Sequence, residues 1–170
     1  MIIELRKVIE NFHNIREWSW NGITINHDRP CIDRLWTHQD GIRVCLHKIY
    51  PLDDSDKPFM HSHPWPCATH IMKGNYRMFV GYSESLSPPS VVSEFKMIED
   101  SEYSMIDKNM WHAVRPIDEP VYSIMVIGKK WDREMSKPHI YPKILDEQEK
   151  NKLIDEFELI HLGGFLSLDR

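Results

Sequence analysis

Apolar residues recur at Ile2, Leu5, Ile9, Phe12 and Ile15, with Val8 beside them, and this three-to-four spacing predicts an amphipathic helix over residues 1–18. The tail repeats the pattern. Asp146 is a suitable N-cap, Leu153, Ile154, Phe157 and Ile160 line one face, and Gly163-Gly164 supplies a stop, which places a helix in residues 144–162. Between these ends lie short apolar stretches at 22–25, 42–50, 67–72, 76–82, 91–98, 103–106, 112–115 and 121–127. Turn residues separate them at 51–58, Lys73-Gly74-Asn75, Ser87-Pro88-Pro89, Asp107-Lys108-Asn109 and 117–120. Stretches this short and rich in Val, Ile, Tyr and Phe read as strands, and their regular spacing predicts an antiparallel sandwich or barrel. The expected class is all-β, with a barrel core over residues 22–130 and helices at both ends.

Composition narrows the partners. The length of 170 residues suits a single domain over 1–170, large enough to bury a core without disulfides or structural zinc. Lys and Arg number 21 against 26 Asp and Glu, and a net charge of −5 disfavours a nucleic-acid surface. No apolar run approaches the roughly 20 residues that span a bilayer. The first residues carry charges where a signal peptide needs apolar ones. Cys31, Cys45 and Cys67 have no C-x-x-C spacing and read as free thiols of a reducing compartment, so a cytoplasmic protein is expected. There is no internal repeat.

The unusual feature is ten histidines. In Met60-His61-Ser62-His63-Pro64-Trp65-Pro66-Cys67, residues two apart on a strand share a face, so His61 and His63 present two imidazoles together. Neutral imidazole binds Fe, Mn, Ni, Cu or Zn, and two from one strand need a third from elsewhere. A bare H-x-H pair also arises by chance at a strand end, so the spacing alone leaves metal binding open. Further along, Asp107-Lys108-Asn109-Met110-Trp111-His112 is a turn that delivers one His to the start of a strand.

This pattern resembles the cupin superfamily over residues 40–128. His61, His63 and Gly74 fit its first motif, with Cys67 where a Glu ligand stands, and His112 fits the second motif, with Asp107 in place of Pro and Asn109 in place of Gly. Asn tolerates the left-handed turn better than any residue but Gly, so Asn109 is expected to take it. The resemblance implies a jelly-roll barrel with a divalent metal in its mouth, held by His61, His63 and His112. It leaves Cys67 as a thiolate ligand, as a thiol held off the ion, or as a small buried hydrophobe. Thiol dioxygenases, which are also cupins, place a Cys nearby at a different spacing from the second His. A vacant fourth position would suit Fe(II) and dioxygen, whereas a closed His3Cys set would suit zinc.

Around these ligands, Trp65, Tyr76, Trp111, Tyr122 and His47 are candidate pocket-lining residues, and each is also readable as core or rim packing. His47 shares a face with Arg43 and Cys45, which is either pocket or subunit interface. His70 falls on the opposite face from Cys67 and reads as structural. Tyr76, Tyr103 and Tyr122 are candidate proton donors, and Arg77 and Arg115 are candidate partners of a substrate carboxylate. The expected function is a metalloenzyme acting on a small polar molecule, an Fe(II)-dependent dioxygenase in the first instance, with Zn, Ni or Mn also within the ligand chemistry. A metal-dependent isomerase or epimerase and a non-catalytic small-molecule or metal-binding cupin remain alternatives. A homodimer is expected, because the apolar face at Leu153, Ile154 and Phe157 must cover its own barrel or a partner's.

Overall fold

The structure, a computed structural model, describes residues 1–26, 30–51, 59–132 and 141–167. Most of the turn expected at 51–58 lies outside them. Helix α1 spans Ile2–Glu10 and gives way to a 3-10 segment, Phe12–Glu17. The break falls at Asn11, whose side-chain amide donates to Lys7 O at 2.9 Å and so competes with continuation of the α-helix. Eleven strands follow among the described residues: β1 Asn21–Asn26, β2 Pro30–Gln39, β3 Ile42–Ile49, β4 His61–Ser62, β5 Cys67–Lys73, β6 Tyr76–Tyr82, β7 Ser93–Met97, β8 Glu102–Met105, β9 Met110–Pro116, β10 Val121–Ile127 and β11 Tyr141–Ile144. Helix α2, Glu147–Ser167, closes the chain.

The strands form two antiparallel sheets, a large one in the order β11-β1-β2-β3-β10-β5-β8 and a small one in the order β4-β9-β6-β7. Strict alternation along the central strands of the large sheet gives it two buried faces. Leu35, Val44, Leu46, Ala68, Ile124 and Val126 turn outward, under Leu5, Phe12 and Ile15 at the N-terminal end and Leu153, Ile154 and Phe157 of α2. Their neighbours turn inward toward the small sheet: Cys45, Cys67, Met105, Met125 and Ile127 in one cluster, and Ile71 and Val121 with Tyr76, Met78 and Val80 in another. Phe12 and Phe157 are fully buried, and each contributes about 1.5–3 kcal/mol by leaving water. The apolar face of α2 therefore covers its own sheet.

Two strands escape the sequence reading. β2 reads as polar because its inward positions are Arg34 and Trp36 rather than a run of aliphatics, and β11 is a four-residue edge strand containing Pro142. The tail helix also corrects an expectation, since it continues through Gly163-Gly164 to Ser167. A glycine ends a helix by turning left-handed, as Gly41 and Gly74 do in their turns; Gly163 does not. Its start is as read. Asp146 Oδ1 accepts from Glu149 N at 2.8 Å while Glu149 Oε2 accepts from Asp146 N at 3.0 Å, a reciprocal cap. Among the described residues no helix is long and apolar enough to cross a membrane.

Candidate metal centre

The small sheet brings the three motif histidines together. β4 is only two residues long, and its pairing with β9 sets His61 directly opposite His112. His63 lies one residue beyond β4, yet its ring returns to the same side. The Nε2 atoms form a triangle: 3.3 Å from His61 to His63, 3.0 Å from His63 to His112 and 3.1 Å from His112 to His61. The turn before β9 is closed differently from the expectation. Asn109 does not adopt a left-handed backbone; Asp107 Oδ1 instead accepts from Asn109 N at 2.8 Å, and Met110 N reaches Asp107 O at 3.1 Å.

The triangle cannot be satisfied by protons. Each Nε2 carries either a hydrogen or a lone pair, and three mutually contacting atoms always leave one like pair facing another. A cation in the middle removes the conflict. An ion about 2.1 Å from each nitrogen needs N···N separations of about 3.0 Å when its bonds are mutually perpendicular and about 3.4 Å when they are tetrahedral. The observed 3.0 and 3.1 Å lie nearer the perpendicular arrangement and 3.3 Å nearer the tetrahedral one, so the triangle fits an ion within this range.

The outer nitrogens support this tautomer. His61 Nδ1 lies 3.1 Å from Phe59 O, which requires the hydrogen on Nδ1 and leaves Nε2 as a donor of electrons. His63 Nδ1 lies 3.2 Å from Cys67 Sγ. His112 Nδ1 is buried without a partner. Burial pushes His63 and His112 well below the ordinary imidazole value and lowers His61 as well, with like-charge repulsion from Arg34 adding to the shift at His61 and His63. All three rings are neutral at pH 7. Cys67 points inward, as the barrel frame requires, but faces the far side of the His63 ring, and burial pushes its thiol up to about 12.

The surroundings sort the remaining candidates. His47 is buried on the inward face of β3, where its Nε2 accepts from Arg34 Nε at 2.7 Å, so it lines the interior rather than a subunit interface. Trp65 packs beside the cluster of Cys45 and Cys67, with the Arg43 guanidinium 5.8 Å from its ring centre. Tyr76 lies inward at the floor, its hydroxyl donating to Tyr103 OH at 2.8 Å. Two pocket candidates are corrected. Tyr122 faces α2, donating to Glu156 at 3.0 Å and packing edge-on to Phe157, because its neighbour Ser123 takes the inward position. Trp111 precedes the inward His112 and so points outward, donating to Ser83 O at 3.2 Å. Arg77 and Arg115 face each other across β6 and β9 on that same outward side, and Arg77 lies 3.5 Å from Glu94. His70 sits on the helix-facing side near Glu102 and Asp100, as read.

The residues missed by the sequence reading are Arg34 and Trp36. Their signal was the two-residue alternation of Arg34 and Trp36 against Asp33, Leu35 and Thr37, hidden because the inward set is not aliphatic.

No family profile and no curated protein sequence matches the chain. Solved structures do. An iron(II) form of HppE with the alternative substrate (S)-1-HPP superposes with a TM-score of 0.51 at 12% identity, covering 65% of this chain and 56% of that one. The cupin domain of Schizosaccharomyces pombe Cnp3 gives 0.45 at 10% identity over 58% of this chain and 61% of that one. KdgF from a Halomonas species gives 0.45 at 9% identity over 68% and 92%. The chain spans little more than half the length of the HppE chain. Two facing antiparallel sheets, with an H-x-H pair and a later His meeting at one end of the space between them, are the hallmark of a single architecture, and this chain has the cupin fold.

Proposed function

We propose that the chain is a metal-dependent enzyme that acts on a small polar molecule, with Fe(II)-dependent dioxygen chemistry as the first reading. The observation that carries it is the triangle of three Nε2 atoms with Cys67, in the place of the usual carboxylate, turned to the outer Nδ1 edge of His63 instead of into the triangle. An iron(II) ion held by these three rings would supply Lewis acidity and one-electron chemistry to a bound substrate. HppE, of similar fold, carries iron(II).

The chain's own residues have definite tasks in this reading. His61, His63 and His112 hold the ion. Phe59 O and Cys67 fix the rings of His61 and His63 by accepting their Nδ1 hydrogens. Cys45, Met105, Met125 and Ile127 exclude bulk water from the interior.

Element analysis and X-ray absorption of the purified, iron-reconstituted protein test the proposal. The expected result is one iron per chain with only nitrogen and oxygen neighbours, and oxygen uptake with a member of a panel of small polar acids. A sulfur neighbour at about 2.3 Å, or zinc retained against iron, would overturn the open-site reading and leave a closed, non-catalytic site.

A further inference from the structure

Beside the three histidines the interior carries two guanidinium groups that the metal does not need. Arg34 on β2 and Arg43 on β3 point to the same inward face as His47 and Cys45. Arg34 spends its Nε on the neutral ring of His47 at 2.7 Å. Arg43 is held between two tryptophans, 5.5 Å from the Trp36 ring centre and 5.8 Å from that of Trp65. Its Nε and the indole Nε1 of Trp65 are buried donors without acceptors. Among the described residues neither arginine has a carboxylate partner.

This arrangement is costly in the free protein. Burial disfavours the charge on Arg34, and repulsion from Arg43 adds to it. Trp36 and Trp65 pack on the cluster of Cys45 and Cys67, and Cys67 Sγ lies 3.2 Å from His63 Nδ1, which places the group beside the histidines. Buried positive charges persist when something negative joins them. Arg34, Trp36, Arg43 and Trp65 are each only partly buried, so the group remains within reach of solvent. Guanidinium forks match oxyanions geometrically, and the two tryptophan rings keep the Arg43 fork from swinging away.

We infer that Arg34 and Arg43, walled by Trp36 and Trp65, form an oxyanion subsite beside the three-histidine centre, and that the substrate is a small molecule bearing a carboxylate or phosphonate. This rests on the proposed metal site for its place in a reaction, though anion binding itself does not require the ion.

Titration calorimetry with acetate, methylphosphonate and neutral acetamide tests it, on metal-loaded and metal-free full-length protein. The anions are expected to bind and acetamide not to, and the tighter anion identifies which oxyanion the subsite prefers. Arg34→Gln and Arg43→Gln should each weaken anion binding at least about tenfold, equivalent to about 1.4 kcal/mol, with metal content unchanged. Arg43→Lys, which keeps the charge, should retain part of the binding and guards against a variant that fails to fold. Equal affinity for acetamide, no anion binding in either form, or unaltered binding in the Gln variants would overturn the subsite. A wild-type protein that binds anions but no metal would overturn the three-histidine reading instead.

Discussion

The thiol of Cys67 lies 3.2 Å from Nδ1 of His63, on the opposite edge of the ring from the nitrogen that meets His61 and His112. The residue standing in the place of the resembled motif's carboxylate thus contacts the outer edge of a histidine ring instead of joining the triangle. With its thiol pushed up to about 12 by burial, Cys67 is an acceptor for the His63 Nδ1 hydrogen. Cys67→Ala is expected to keep one ion per chain at saturating metal and weaken affinity about tenfold, while Cys67→Ser restores part of the loss. Cobalt-loaded protein reports the difference, since a thiolate bond would add a charge-transfer band that this arrangement lacks. A loss of more than about a thousandfold in the Ala variant would make Cys67 a ligand.

His112→Ala removes one corner of the triangle. The variant is expected to retain its far-ultraviolet circular dichroism and to lose bound ion at micromolar metal, because two imidazoles alone hold a divalent ion weakly. Unchanged metal content would show that His112 is not a ligand.

Tyr122→Phe tests the face on which that tyrosine sits. Loss of its hydrogen bond to Glu156 should lower stability by about 1 kcal/mol and leave metal affinity unaltered. A drop in metal affinity without a drop in stability would return Tyr122 to the pocket.

The pH dependence follows from four buried imidazoles. His47, His61, His63 and His112 are all lowered by burial, so the folded, metal-free protein binds fewer protons than the unfolded chain below the ordinary imidazole value of about 6.5. Their contribution is complete above that value and is lost as the pH falls through it, at up to about 1.4 kcal/mol per pH unit for each ring. Urea denaturation at about pH 7.5 and about pH 5.5 should reveal the difference. Equal midpoints at both would refute the buried neutral state.

The meeting of His61, His63 and His112 was legible because it obeys local rules. Residues two apart meet on one side, and a turn puts His112 at a strand start. The helix cap at Asp146 was legible for the same reason. What the pattern hid was which face each strand buries. Tyr122 and Trp111 looked like pocket walls by nearness in sequence to inward residues, and strand alternation sends such neighbours the other way. Arg34 was hidden by its own charge, since a strand whose inward face is charged shows no aliphatic alternation. Asn109 shows a third kind of miss. The turn was correctly located, but a side-chain acceptor at Asp107 replaced the backbone conformation expected of Asn109.

The brevity of β4 has a consequence for how the molecule is held shut. Two residues of pairing with β9 fasten His61 and Ser62, and the chain leaves the small sheet at once, entering the large one only at Cys67. Backbone bonds from Trp131 N to Pro64 O and from Gly128 N to Pro66 O hold the far end of this segment, and coordination would join its near end to β9 through both His61 and His63, closing a ring of about fifty residues through His112. The ion would then serve as a clasp as well as a reagent. Chelation should open the protein to proteases near residues 59–66 well before the sheet beneath the helices yields.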